Sequence, residues 1–261
     1  MVIKSLLSAI GVYRVYEGWL WRQVDNGAKP EHIAIILDGN RRWASENVLS
    51  TWFGHAKGAD KVEQLLDWCL KLDVKSVTLY AFSTENFHRT PGEVEEIMDI
   101  FKGRLRNLLT DERIHGDKVR VKVIGRVNLL PEGMRQVIAE VEKSTQNYDK
   151  HFLNFAFAYG GRAEIVDAAK RIAEEVHDGK LDPQNVDEKT FEQHLYTSHM
   201  PNQDPDLIIR TSGEERLSGF LLWQSAYSEL CFLDVYWPDF RSIDLLRAVR
   251  TFQKRKRRFG E

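Results

Sequence analysis

Four short stretches of the chain hold residues suited to binding phosphate. Asp38-Gly39-Asn40-Arg41-Arg42 follows the apolar run HIAIIL, and Ser83-Thr84-Glu85-Asn86-Phe87-His88-Arg89 follows SVTLYAF. Tyr159-Gly160-Gly161-Arg162 follows FLNFAFA, and Arg210-Thr211-Ser212-Gly213-Glu214, continuing to Arg216, Leu217 and Ser218, follows DLII. Each contains at least one arginine, whose planar guanidinium binds phosphate through paired hydrogen bonds. Most add a glycine or a hydroxyl. Glycine lets backbone N–H groups approach an anion closely, and a helix N-terminus adds a favourable dipole. Several such ends converging imply more than one phosphate group. Two acids stand apart: Asp38, and Glu229 in AYSELCF. A carboxylate beside phosphate is repelled unless a hard cation such as Mg2+ lies between them.

Singly, these signals are weak. Asp38-Gly39-Asn40 alone reads as a turn, Arg210 as an ion-pair partner, and Tyr159-Gly160-Gly161 as a strand-to-helix corner. His55, in FGHAKGA, reads either as a helix-start residue or as a phosphate donor. The chain has no Walker A pattern, no GxGxxG, no GxSxG elbow and no HExxH, so the common nucleotide, serine-hydrolase and zinc-protease readings lose support. Together the four sets and the two acids favour a phosphate ligand held with a metal.

The segments that must position these residues alternate in pattern. HIAIILD, VKSVTLYAFS, KVRVKVIG, FLNFAFAY and DLIIRT read as strands, the third with one wetter face. GHAKGADKVEQLLDWCLKLD keeps Val62, Leu65, Leu66, Cys69 and Leu70 at helical period. PGEVEEIMDIFKGRLRNLL and PEGMRQVIAEVEKSTQ open on proline and acid, as helices do. RAEIVDAAKRIAEEVHDG is a helix closed by Gly179, and DLLRAVRTFQKRKRRF is a final one. Strand then helix, repeated, predicts a single α/β domain with a central, mostly parallel sheet flanked by helices. In such sheets ligands bind beyond the carboxyl ends of the strands, which is where the four sets fall.

The chain has 261 residues, 43% hydrophobic and 29% charged, with a formal net charge of −2. That suffices for a full core and lacks the basic balance usual in nucleic-acid binding. The tail RTFQKRKRRFGE is basic, and alone it reads as a solvated helix end. Cys69 and Cys231 fit neither a zinc spacing nor a disulfide scaffold, so a reducing, cytoplasmic setting is expected. No stretch reaches the roughly 18 apolar residues of a membrane-spanning helix. At the N-terminus, Leu6, Ile10, Tyr13, Tyr16 (or Glu17) and Leu20 recur at helical spacing, amid Trp19, Trp21, Arg14 and Arg22. That stretch reads either as a helix packed on the domain or as an interfacial helix in peripheral contact with a membrane.

ILDGNRRWA, FGHAKGA, TLYAFSTENFHR, AYGGRAEIVDA, the long run DLIIRTSGEERLSGFLLWQSAYSELCFLDVYWPDF and the terminal RRFG resemble the cis-prenyltransferases, the undecaprenyl and dehydrodolichyl diphosphate synthases. The resemblance runs from about Pro30 to the C-terminus, making residues 1–29 a helical extension and 30–261 the catalytic domain. Arg41 and the RQV lead-in are most similar to archaeal members. The resemblance implies a homodimer, Mg2+, a hydrophobic product tunnel, and sequential cis addition of isopentenyl diphosphate to an allylic diphosphate, plausibly geranylgeranyl diphosphate. The long polyprenyl diphosphate product would serve as a glycosyl carrier lipid.

By that resemblance Asp38 is the central acid of the allylic site and a Mg2+ ligand, and Glu229 is the second metal carboxylate. Gly39, Asn40, Arg41 and Arg42 cradle the allylic diphosphate beside His55, with Trp43 near the chain. Ser83, Thr84, Glu85, Asn86, Phe87 and Arg89 form the second block. Arg210, Arg216, Leu217 and Ser218 match the isopentenyl diphosphate site, and Arg258 and Gly260 the motif that crosses the dimer. Asn86 is often cast as the catalytic base, but an amide is not basic near neutrality; it is expected to orient the proton path. Thr51 stands where an arginine is common, leaving Arg41 to compensate. Phe155 and Phe157 share a strand face: facing the tunnel they shorten the product, facing the helix layer they are core. Two other functions stay open on the same fold, a short-chain or O-prenylating enzyme and a non-catalytic partner subunit. The presence of Asp38, Asn40 and Glu229 opposes the last.

Overall fold

All the expected strands form, and a sixth joins them. In the computed structural model, which describes residues 11–255, β1 spans His32–Ile36, β2 Ser76–Ser83, β3 Val119–Ile124, β4 His151–Tyr159, β5 Leu207–Arg210 and β6 Glu229–Phe232. They form one sheet in the order β3-β4-β2-β1-β5-β6, and every pairing is parallel. Helices make the crossovers from β1 through β5 that parallel pairing demands, while the β5-to-β6 connection runs through turns. They are α1 (Val12–Asp25), α2 (Asn40–Glu46), α3 (Thr51–Lys71), α4 (Pro91–Leu108), α5 (Glu112–Gly116), α6 (Glu132–Thr145), α7 (Gly161–His177), α8 (Glu188–Gln193) and α9 (Ser242–Lys254).

The central strands are apolar throughout because both faces of the sheet are covered. β1 and β4 are buried along their whole lengths. Pleating sends Ile33 and Ile35 into one core and Ala34 and Ile36 into the other. The larger core joins the sheet to α1, α3, α4, α6 and α9 through side chains such as Leu20, Leu65, Phe101, Val137 and Leu246. In the smaller core Tyr80 stacks on Phe220 at 4.7 Å. Full burial of side chains of this size contributes about 1.5–3 kcal/mol each. β3, at one sheet edge, alternates buried with half-buried residues as its sequence suggests.

The helix signals also hold. Ser50 caps α3 by accepting from the Phe53 N–H, Pro91 opens α4, and Gly179 takes a φ of 69° just beyond α7. Two elements go beyond the sequence reading. NRRWASE is not merely the end of a turn but the short helix α2, and ELCF is the edge strand β6. Both are too short to show a period.

The described part of the N-terminal stretch is a helix packed on α9, with Leu20 and Val24 buried. Its aromatic residues lie under cations: Tyr13 under Arg241 (5.5 Å), Tyr16 under Arg247 (5.2 Å), Trp19 under Arg250 (4.9 Å) and Trp21 under Lys71 (4.1 Å). Leu6 and Ile10 fall outside the described residues. Among those described, no helix is long and apolar enough to cross a membrane.

Candidate active site

A parallel sheet delivers the carboxyl ends of its strands to one edge. There a cavity of about 930 Å³ opens, lined by Asp38, Gly39, Asn40, Arg41, Arg42, His55, Ser83, Glu85, Asn86, Arg89, Arg210 and Ser218 among others. Residues far apart in sequence meet because Ile36 pairs with both Tyr80 and Arg210 in register.

Asp38 is the hinge of this arrangement. Its Oδ2 accepts from Arg210 Nη2 at 2.8 Å, and its Oδ1 lies 3.4 Å from Arg42 Nη2. The Thr211 hydroxyl donates to the Asp38 carbonyl (2.7 Å) and accepts from its N–H (3.0 Å), fixing the backbone. Burial alone would raise the Asp38 pKa. Hydrogen bonds from Arg210 and Ser212 and the charges of Arg210 and Arg42 outweigh it, so the carboxyl stays below its ordinary value. Arg210 is 5% exposed. It donates to Ser218 Oγ at 2.8 Å and to the Arg216 carbonyl, yet its buried Nε has no partner. Ser212 and Ser218 both take positive φ, a conformation that costs a non-glycine residue about 1–2 kcal/mol. That strain sits where the two hydroxyls meet Arg42 (2.6 Å) and Arg210.

Close packing sets the other wall. A Cβ on Gly54 would lie 2.3 Å from the Asn40 carbonyl oxygen, and one on Gly58 2.4 Å from Asn40 Oδ1. The glycines of FGHAKG therefore let α3 ride directly against the start of α2. This brings His55 into the cavity wall.

A second cluster centres on Glu93. Its Oε1 lies 3.2 Å from His55 Nε2, 3.0 Å from Arg89 Nη1 and 3.7 Å from Arg41 Nε. Burial lowers the His55 pKa, with Glu93 opposing and the Arg89 and Arg41 charges reinforcing, so the imidazole stays below its ordinary value. The sequence reading passed over Glu93, since an acid in the first turn of a Pro-led helix already has a reason to be there. Its i,i+4 spacing from Arg89 was the available signal. Tyr80, which lines the cavity, was also missed as a contributor.

Asn86 Oδ1 accepts from the Ser83 N–H at 3.0 Å, closing a capping box at the end of β2. Its carbonyl is thus occupied, and its amide group is what remains to orient a ligand.

Some predicted residues lie outside the cavity wall. Trp43 stacks on Phe53 at 6.3 Å, and Phe87 meets Phe82 edge-on at 5.0 Å. Thr84 abuts Gly160, Leu217 packs on the smaller core, and Arg216 turns its side chain to Glu214. The expected pairing of Glu229 with Asp38 on one metal does not form within the chain. Glu229 pairs with Leu207 at the opposite end of β5 from Arg210. It is therefore about five residues, or roughly 16 Å, from Asp38 along the strand direction, and it binds Arg255 at 2.5 Å. Arg258 and Gly260 fall outside the described residues.

A smaller, apolar cavity of about 110 Å³ continues from the first between α3 and α4. Leu37, Asn40, His55, Ala81 and Ile97 line both cavities. Phe155 and Phe157 face this second space and are also core, Phe157 stacking on Phe101 at 4.0 Å.

A parallel α/β sheet that gathers arginines at its strand ends and opens onto an apolar cavity suits a substrate with a diphosphate head and a hydrocarbon tail. Residues 36–260 match the profile of the undecaprenyl diphosphate synthase family of prenyltransferases. The chain belongs to this family, the cis-prenyltransferases, and is a prenyltransferase. It is 55% identical over 249 residues to a tritrans,polycis-undecaprenyl-diphosphate synthase (geranylgeranyl-diphosphate specific) from Methanopyrus kandleri, covering 95% of this chain and 91% of that one. It is 51% identical over 251 residues to the enzyme of the same name from Methanocaldococcus jannaschii, covering 96% and 90%. Among solved structures it resembles lavandulyl diphosphate synthase from Lavandula x intermedia in complex with dimethylallyl diphosphate, with a TM-score of 0.86 and 38% identity over 89% of this chain and 99% of that one.

The family implies Mg2+. Among the described residues no group of three or more His, Cys, Asp or Glu side chains could hold a metal alone. Mg2+ is usually bound through one or two carboxylates together with substrate phosphates. Asp38 is the carboxylate placed to hold it, its Oδ2 taken by Arg210 and its Oδ1 3.4 Å from Arg42.

Proposed function

We propose that this enzyme adds isopentenyl diphosphate repeatedly, in cis, to geranylgeranyl diphosphate, making a polyprenyl diphosphate of undecaprenyl class for use as a glycosyl carrier lipid. The observation that carries this reading is the continuity of the arginine-lined cavity at Asp38 with the apolar cavity between α3 and α4. Its relatives from Methanopyrus kandleri and Methanocaldococcus jannaschii are named for this product and this primer.

Ionisation of an allylic C–O bond leaves diphosphate with growing negative charge. Arg41, Arg42 and Arg89 stabilise that charge in place. Mg2+ held by Asp38 would neutralise part of it when bound. Arg210, with its unpartnered Nε, and Ser218 hold the isopentenyl diphosphate head. Asn86 orients the proton that leaves the isopentenyl unit, with a diphosphate oxygen or Asp38 as acceptor. Arg41, held only at 3.7 Å by Glu93 and exposed, is free to take the place of the arginine that Thr51 replaces.

The enzyme is proposed to work as a homodimer. Residues 1–29 are read as an extension of the catalytic domain, and exposed Val12, Val15 and Trp19 on α1 as its peripheral membrane contact. The two free cysteines suit a reducing cytoplasm.

Incubating the purified protein with Mg2+, labelled isopentenyl diphosphate and allylic primers of several lengths tests the reaction. A ladder of long products, strongest with geranylgeranyl diphosphate, is expected. One short product, or an ether, would instead support the short-chain or O-prenylating alternative, and no turnover with any primer a non-catalytic role.

A further inference from the structure

The apolar cavity is walled on its solvent side by charge. Asp60, Glu63 and Asp67 lie three and four residues apart on α3 and so share one stripe of that helix. Arg104 of α4 reaches across to Asp60 and to Glu63, the latter at 2.8 Å. Arg113 of α5 reaches Asp67 (2.8 Å) and the Glu63 carbonyl (3.2 Å), and Asp111 holds it from behind at 2.6 Å. Glu63, Arg104 and Asp111 also line the cavity. Two arginines thus tie α3 to α4 and α5 along the path leading away from Asp38.

The cavity is too small for the chain it would serve. Its 110 Å³ compares with roughly 300–1,000 Å³ for ordinary small-molecule sites. Along α4 its lining runs from Ile97 to Leu108, roughly 16 Å at 1.5 Å per residue. A chain of undecaprenyl length is far longer. The sheet that floors the cavity is held by ladder hydrogen bonds, so the helices are the walls that part. The pairs joining them are between about a third and a half exposed, and pairs of that kind hold weakly and reversibly.

We propose that Arg104 and Arg113 with their α3 carboxylates form a latch that the lengthening chain must open to pass between the helices, and that the latch thereby sets product length. This rests on the chain-elongating reading above. Until the chain reaches the latch it lies among apolar side chains. Beyond it, each added unit must separate charged partners and desolvate them, so release competes with further addition at that length.

Arg104→Met removes the pairs while keeping an apolar stem in the wall, and Asp60→Asn with Glu63→Gln removes them from the α3 side. With Mg2+, geranylgeranyl diphosphate and labelled isopentenyl diphosphate, both variants are expected to give longer products. The ratio of addition to release at the wild-type terminal length should rise about 2- to 5-fold. Arg104→Lys, which retains a charge for the carboxylates, should keep the wild-type distribution. An unchanged or shortened distribution in either folded variant overturns the latch. A wild-type enzyme that adds no unit overturns instead the elongation reading beneath it.

Discussion

At the scale of single residues, the site depends on two carboxylates that gather cations, Asp38 and Glu93. Asp38→Asn keeps the shape but removes the charge that Arg210 and Arg42 surround. It should cut kcat by about 100-fold or more while leaving the circular dichroism spectrum near wild type; near-normal turnover would contradict its assigned role. Glu93→Gln should lower kcat/KM for the allylic substrate about 10- to 100-fold, the range expected for one lost charge-assisted contact. Steady-state kinetics with the allylic substrate varied would show it. Asp38, Asn40, Arg42 and Arg210 were legible in the sequence because each stands where an apolar strand ends. Glu93 was not, because its distance to His55 is set by how α3 and α4 lie side by side, and no local pattern encodes that. The place of Glu229 is likewise set by the sheet register. It is an acid near a strand, but at the end of the sheet away from Asp38.

At the scale of elements, two close contacts carry stability. Gly54→Ala would drive a Cβ against the Asn40 backbone, which cannot give way as a flexible side chain can. It should destabilise the fold by about 1–3 kcal/mol and, by moving Asn40, reduce turnover as well. Thermal melts and kinetics on the same sample test both effects. At the start of β1, His32 is buried with Nε2 2.8 Å from Thr78 Oγ1, and His199 Nε2 lies 2.8 Å from Asn154 Oδ1. Burial pushes both down to about 4, against the attraction of Asp206 in the case of His32. With folded values below the ordinary 6.5, the unfolded chain binds protons first as pH falls. The stability they contribute is therefore present above about pH 6.5 and lost on the way down to about pH 4. Between pH 7 and pH 5 each histidine should account for roughly 2 kcal/mol. Urea unfolding at the two pH values, compared between wild type and His199→Gln, checks this through a smaller pH difference in the variant. The long periodic helices and apolar strands were readable in advance. α2 and β6 were not, because so few residues show no period and their pairing is decided by neighbours distant in sequence.

At the scale of the whole molecule, the parallel order of the strands makes one edge of the sheet both the polar site and the entrance to the apolar cavity. The alternation of strand and helix announced that arrangement, whereas the cavity's size and charged wall arise from tertiary packing. The central claim is that Asp38 and its surrounding arginines ionise an allylic diphosphate so that new units join it in cis. The most direct measurement is the mass and double-bond geometry of the product formed from geranylgeranyl diphosphate and 13C-labelled isopentenyl diphosphate with Mg2+. The account predicts a long chain whose primer end stays trans and whose labelled units are all cis, with none formed by Asp38→Asn. Labelled units in trans, or a product that stops after a single addition, would contradict it.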